Sequence, residues 1–441
     1  MSKKYKFDDT ITGISIKGYK SVRKKQTIDL RPLTILSGKN SSGKSSFIQP
    51  ILLLKQTIEE SYDPGALLLS GPLTKFSNFE QLLHKSPQEE ADCFEVEIAI
   101  DNLHTCSLTY TKKNDEIIVK KAVYITKDKK RNSTEKITID HEMNSDELRD
   151  QLPKRVKEIF KEMRKGHDGK SEVRIEKDRC FIRVGLTYDI EENVKRVLAY
   201  PGSRPELAIK NIIYLPGLRG NPERHYPVTR INSKSYAAHL PGKFEKYVAS
   251  ILHSWQVNKD KKAVRVEEFL NLLDLTNKIS TRRINDTQIE ISVNALSSEV
   301  DSNFVNIADV GLGVSQTLPV LVALVYATPG QIVYIEQPEI HLHPRGQYEF
   351  SKIIKDALNR GVRVVIETHS SLIIKGIQTE VANKEIKNKD VSLNWFTRNE
   401  MGETEVNSTM LDENGAFGAW PLDFTNVELE AEYNYIQAGD I

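Results

Sequence analysis

Apolar and polar positions along the chain fall into runs with distinct periods. Ile11 to Leu30 reads as two strands on either side of a Lys20-Ser21 turn, and Leu33 to Leu36 alternates as another. After Lys44 the pattern turns helical as far as about Glu60, with Pro50 where the loss of a backbone donor is expected to kink or reset the helix. Phe94–Ile100, Cys106–Thr111 and Ile117–Ile125 alternate between Lys- and Asp-rich turns, which predicts an added antiparallel β-sheet. From Leu152 the apolar residues Val156, Ile159, Phe160 and Met163 recur at helical spacing. Lys154, Arg155, Lys157, Lys161, Arg164 and Lys165 fill the rest, so a basic amphipathic helix is expected there.

Further on, the apolar run Leu318 to Tyr326 follows a Gly311-to-Gln316 turn and reads as a buried helix, being far shorter than the roughly twenty residues that cross a bilayer. Ile332 to Ile335 and Val362 to Ile366 are short apolar runs of the kind found in strands buried on both faces, and each delivers an acid at its end, Glu336 and Glu367. The expectation is an α/β protein with a mixed sheet core, an added antiparallel sheet and a helical insertion. Residues 1–90 and 206–384 would form the two parts of the core, 91–205 the insertion and 385–441 a tail.

Composition narrows this only where it excludes something. With 62 basic and 61 acidic side chains the net charge is +1, so no overall field draws in nucleic acid, and such contact would need a local patch. Lys127–Arg131 and Lys154–Lys165 are candidate patches, although acids such as Glu158 and Glu162 interrupt the second and a solvated face is the competing reading. Arg219, Arg224 and Arg230 form another basic cluster, read either as structural ion pairs or as a nucleotide or partner edge. Cys93, Cys106 and Cys180 are odd in number and lack metal-ligand spacing, which suits a reducing cytoplasm. The basic start of the chain has no apolar stretch behind it, so neither a secretory signal nor a membrane span is expected.

The strongest chemical signal is Gly38-Lys39-Asn40-Ser41-Ser42-Gly43-Lys44-Ser45, a phosphate-loop pattern placed between a predicted strand and a predicted helix. Glycines at 38 and 43 let the backbone curl so that successive N–H groups and the helix N-terminus face a phosphate, and Lys44 adds positive charge. Ser45 would offer its hydroxyl to Mg²⁺. Glu336, at the end of its strand, is the matching metal-binding acid. His369, in Glu367-Thr368-His369-Ser370, could hydrogen-bond a γ-phosphate.

These segments resemble the ATP-binding-cassette (ABC) ATPase heads of the RecF, SMC and overcoming-lysogenization-defect (OLD) families, most closely AAA-type bacterial ATPases with a C-terminal domain of unknown function. The residues that carry the resemblance run from Asn40 to Ser46, Tyr214 to Arg219, Asp309 to Gln316, Glu336 to Pro344 and Glu367 to Ser370. It implies a P-loop NTPase of ABC-ATPase head type that binds ATP with Mg²⁺. Gly38, Asn40, Ser41, Ser42, Gly43, Lys44, Ser45 and Ser46 would hold the phosphates, and Ser45 and Glu336 the metal. Gly313, Ser315 and Gln316 would belong to a signature that reaches a second subunit's nucleotide, and His369 would be the switch histidine. A homo-oligomer closed around ATP is implied, together with a separate effector protein in bacterial antiviral defence.

The chain departs from the resemblance at one catalytic position. Where most cassette ATPases carry a glutamate that polarises the attacking water, this one has Gln337, which can orient water but cannot take its proton. Either Glu339 or Glu367 substitutes, or hydrolysis is slow and the protein acts as a timer; the slow switch is the favoured reading. The residues after Ser370 leave no room for the nuclease domain of the OLD family, and they include Trp420, read as packing against the head or as a docking residue. The rival reading is a RecF- or SMC-like DNA-repair or replication ATPase. A membrane-transport motor is disfavoured by the Glu339-to-Pro344 run.

Overall fold

The computed structural model describes residues 9–86, 91–128, 132–154, 156–158, 161, 171–190, 193–200, 204–231, 240–294, 304–418 and 433–438. Its first part comprises strands β1 (Ile11–Lys17), β2 (Gln26–Asp29) and β3 (Leu33–Gly38), helix α1 (Lys44–Glu59), and strands β4 (Cys93–Ile100), β5 (His104–Lys113), β6 (Glu116–Asp128) and β7 (Ser133–Asp140). Then come α2 (Ser145–Gln151), β8 (Ser171–Asp178), β9 (Phe181–Ile190), β10 (Asn193–Tyr200), α3 (Arg204–Lys210), β11 (Ile213–Leu215) and β12 (Tyr226–Pro227). The last part holds α4 (Val248–Val257), α5 (Lys261–Leu272), β13 (Ile279–Arg283), β14 (Gln288–Asn294), β15 (Phe304–Asn306), α6 (Leu312–Tyr326), β16 (Ile332–Glu336), α7 (Pro344–Asn359), β17 (Arg363–Glu367), α8 (Ser371–Ala382), β18 (Val391–Arg398) and β19 (Thr404–Met410).

The central sheet has the order β11-β16-β17-β3-β18-β19, parallel throughout except for the last strand. Strands β3, β16 and β17 are largely apolar on both faces because both are covered. In β16, Ile332 and Tyr334 enter the core shared with α1 and the antiparallel sheet, while Val333 and Ile335 enter a second core shared with the helices α4 to α8. The sheet order carries the functional consequence: β17 lies between β16 and β3, so the strand ending in Glu367 separates the one ending in Glu336 from the phosphate loop.

The alternating segments expected after residue 90 are strands β4, β5 and β6, and they extend the N-terminal pair into one antiparallel sheet, β2-β1-β4-β5-β6-β7. Smaller sheets are formed by β8–β10 and by β12–β15. The helix does not reset at Pro50, contrary to the sequence expectation. It runs unbroken from Lys44 to Glu59, because Phe47, Ile51, Leu53 and Leu54 are all buried on it and their packing outweighs one missing backbone bond. Of the expected basic helix, Leu152 and Val156 are buried; Arg155, Ile159, Phe160 and Glu162–Lys165 lie outside the described residues, as do residues 129–131 and Trp420.

Candidate functional site

The phosphate loop leaves β3 at Gly38 and enters α1 at Lys44. Gly38 has φ +144 and Gly43 φ +106, conformations that disfavour a side chain, and a Cβ at either position would lie 2.3 Å from a neighbouring atom, Phe396 O and Thr404 Oγ1 respectively. Those neighbours belong to the C-terminal pair β18–β19, which sequence reasoning placed in a tail and did not connect with the site. Thr404 Oγ1 donates to Ser42 O at 2.8 Å, and Arg398 Nε to Ser41 O at 2.6 Å. The loop is thus braced from the next two strands along the sheet. No local sequence signal marks Thr404 or Arg398.

Inside the loop Lys44 Nζ donates to the carbonyls of Gly38 (3.0 Å) and Lys39 (2.8 Å). Burial lowers the pKa of its ammonium, and the Glu367 carboxylate opposes that shift. The Ser42 hydroxyl is buried with no hydrogen-bond partner, while Asn40, Ser41 and Ser45 are exposed. An unsatisfied buried hydroxyl, a left-handed glycine backbone and the N-terminus of a 16-residue helix make a cradle suited to phosphate.

The two acids come together as strand neighbours. Glu336 and Glu367 are paired in register at the ends of β16 and β17. Glu336 accepts from Tyr214 OH (3.0 Å) and the Gly217 backbone N–H (3.1 Å), and the Tyr334 hydroxyl lies 3.2 Å from it and 3.1 Å from Glu367. Tyr214 and Tyr334 stack with centroids 5.4 Å apart. Burial, with the two carboxylates beside it, holds the Tyr334 phenol well above its ordinary range, so the group keeps its proton. Ser45 Oγ donates to Glu367 Oε1 at 2.9 Å; no hydrogen bond joins it to Glu336, the acid expected to share the metal with it. Glu367 is 4% exposed, and burial together with neighbouring Glu336 raises its pKa.

Of the remaining predicted residues, Gln337 adopts a left-handed backbone (φ 44) and its N–H donates to Glu367 O at 2.7 Å. Glu339 Oε1 accepts the backbone N–H of His369 at 2.7 Å, tying the segment after β17 to the loop after β16. Burial raises the Glu339 pKa and lowers that of the His369 imidazole, the latter with help from nearby Lys44. Gly313, Ser315 and Gln316 begin α6. Gly313 packs against His341 O and Leu275, Gln316 bonds to Arg219, and the Ser315 hydroxyl donates to Leu312 O at 3.2 Å, with no bond to the phosphate loop of its own chain. Of the basic cluster, Arg219 is built into the site and Arg224 pairs with Asp309 at the surface.

A glycine loop on a strand–helix junction, with two carboxylates on neighbouring parallel strands, defines a phosphate-loop nucleotide-binding protein of α/β class, and the donor set suits Mg²⁺ beside a bound phosphate. The chain belongs to the AAA ATPase domain family, which matches residues 10–195 and 229–374, and it is an ATP-binding ATPase. No curated protein matches the sequence. Among solved structures it is similar to an SMC head bound to the C-winged helix domain of ScpA (13% identity, 91% of this chain and 98% of that one, TM-score 0.47). It is also similar to the SMC head domain from Thermotoga maritima (12%, 90% and 98%, 0.37). A third similar structure is the Pyrococcus furiosus SMC head with an extended coiled coil, bound to the C-terminal domain of ScpA (12%, 91% and 96%, 0.45). Likeness at this level says nothing of what the present chain binds. Among the described residues no helix is long and apolar enough to cross a membrane.

Proposed function

We propose that the protein is a slow ATP-driven switch in which two copies close face to face, the phosphate loop of each meeting the α6 N-terminus of the other across a nucleotide. The observation that carries this reading is the exposure of the signature turn. Gly311 has open space around its Cα, Ser315 has no phosphate-loop partner in its own chain, and the exposed apolar residues Leu218 (79%), Leu312 (44%) and Ile340 (41%) belong to the segments at that turn. A helix N-terminus with an adjacent hydroxyl suits a γ-phosphate, and apolar side chains beside it suit a protein surface.

Mg²⁺ would neutralise the β/γ oxygens and the charge that develops on them. The chain's own residues do the rest. Lys44 and the loop amides bind the triphosphate, Ser45 and Glu336 hold the metal, and His369 reports the γ-phosphate. Glu339 fixes the His369 backbone, and Gln337 orients water without accepting its proton. Lacking a glutamate at 337, the site spends longer with ATP than after hydrolysis. The energy of γ-phosphate binding would then drive the change in pairing that an effector protein reads. Its setting in bacterial antiviral defence rests on the resemblance, and a reducing cytoplasm suits its cysteine usage.

Solution mass tests this. With Mg·ATP or a slowly hydrolysed analogue, sedimentation should shift from the 50.1 kDa chain to twice that mass, and Lys44→Ala and Ser315→Arg should each abolish the shift. A single chain in saturating Mg·ATP would overturn the proposal. Duplex DNA that raises turnover with steep salt dependence would transfer the protein to the DNA-repair reading instead.

A further inference from the structure

The residue at 337 is an amide, but the strand next to it ends in a carboxylate that the usual phosphate-loop arrangement does not require. We propose that Glu367 supplies the second carboxylate of the divalent-cation site, working with Glu336 and the Ser45 hydroxyl; the proposal deepens the nucleotide-switch reading and rests on it.

Three observations converge on this. First, sheet order puts β17 next to β3, so Glu367 is the acid nearer the phosphate loop, and it alone of the two is hydrogen-bonded to Ser45, at 2.9 Å. Second, the two carboxylates stand side by side: the single Tyr334 hydroxyl lies 3.2 Å from Glu336 Oε1 and 3.1 Å from Glu367 Oε2, at the ends of strands paired in register. Third, the charges do not balance. Glu367 faces the Lys44 ammonium, which donates to the Gly38 and Lys39 carbonyls, and Glu336 shares the Arg219 guanidinium with Glu245 and Glu339, while a triphosphate in the loop would add further negative charge.

A divalent cation between the paired acids and the loop would offset this charge, and Mg²⁺ favours one or two carboxylates completed by substrate phosphates over an all-protein cage. The described residues fit that preference. Two carboxylates and one serine hydroxyl would leave the rest of the coordination to the nucleotide and water.

The test uses the full chain and Mn²⁺, followed by electron paramagnetic resonance in the presence of a non-hydrolysable ATP analogue. Glu367→Gln keeps the shape and the hydrogen-bonding capacity of the site and is expected to weaken Mn²⁺ binding tenfold or more, while metal-free nucleotide binds as well as before or better. Glu367→Asp, which withdraws the carboxylate by one methylene, should fall between, and it carries the test if the glutamine variant does not fold. Unchanged Mn²⁺ affinity in a folded Glu367→Gln protein that has lost turnover would overturn the proposal and make Glu367 a base. Failure of the unsubstituted chain to bind nucleotide at all would overturn the switch reading and this proposal with it.

Discussion

Arg219 holds Gln316 from two sides: its backbone N–H donates to Gln316 Oε1 at 3.1 Å and its guanidinium Nη1 to the Gln316 carbonyl at 3.2 Å. The same guanidinium gives Nη2 to Glu336 O at 2.7 Å, so one side chain joins the first turn of α6 to the strand end that bears a site acid. Burial lowers the Arg219 pKa to about 10, and Glu245, Glu339 and Glu336 nearby keep it charged at neutral pH.

Arg219→Ala would leave two carbonyls without their donor, and a buried acceptor left unpaired costs about 1–3 kcal/mol. The variant should unfold several degrees below the parent in a thermal melt. It should also bind ATP at the Lys44 loop normally while losing the ATP-dependent doubling of mass. Arg219→Lys, with a single point of donation in place of a fork, should recover little of either.

Gly43→Ala should eliminate nucleotide binding while leaving most of the fold. A methyl at φ +106 is strained, and it would meet Thr404 Oγ1 at 2.3 Å and press on the hydroxyl that braces Ser42. A fluorescent ATP analogue should show affinity reduced by at least a hundredfold, whereas Thr404→Val, which removes only the brace, should weaken binding by about the worth of one or two hydrogen bonds, 1–2 kcal/mol.

Gln337→Glu restores a proton acceptor beside Glu336. General-base assistance is worth on the order of 10²- to 10⁴-fold, so steady-state phosphate release should rise by at least tenfold and the ATP-bound dimer should live correspondingly shorter. An unchanged rate would show that the amide does not limit turnover.

Glu245, a buried acid near Arg219, gives a pH test. Burial raises its pKa above the ordinary value, against Lys243 and Arg219, and its Oε2 is buried with no hydrogen-bond partner. The folded state therefore disfavours the ionised form: no cost is felt below the unfolded pKa near 4.5, and the cost grows as pH rises through the folded pKa. Glu245→Gln should be the more stable protein at pH 7 in urea denaturation, with the difference vanishing as pH falls toward 4.

Much of the site was readable before any folding was considered, and the reason is local. The phosphate loop is specified by glycine spacing within eight residues, and the acids by apolar runs that end on a charge; both are properties of the backbone and its immediate neighbours. The strands β4, β5 and β6 were readable from their alternation for the same reason. Pro50 does not end the helix, because the helix's stability comes from packing.

Partners across the sheet were a different matter. A period of two says which face a side chain takes, and it does not say which strand lies alongside. The sequence alone therefore carried the glycine spacing of the loop after β3, two apolar runs that end on acids, and a glutamine directly after the first of those acids. Only the tertiary structure decided that Glu367 stands against Ser45, that Arg219 ties Gln316 to Glu336, and that Thr404 and Arg398 brace the loop. Parallel pairing joins segments separated by long stretches of chain, and which segments meet is settled by burial of both sheet faces at once.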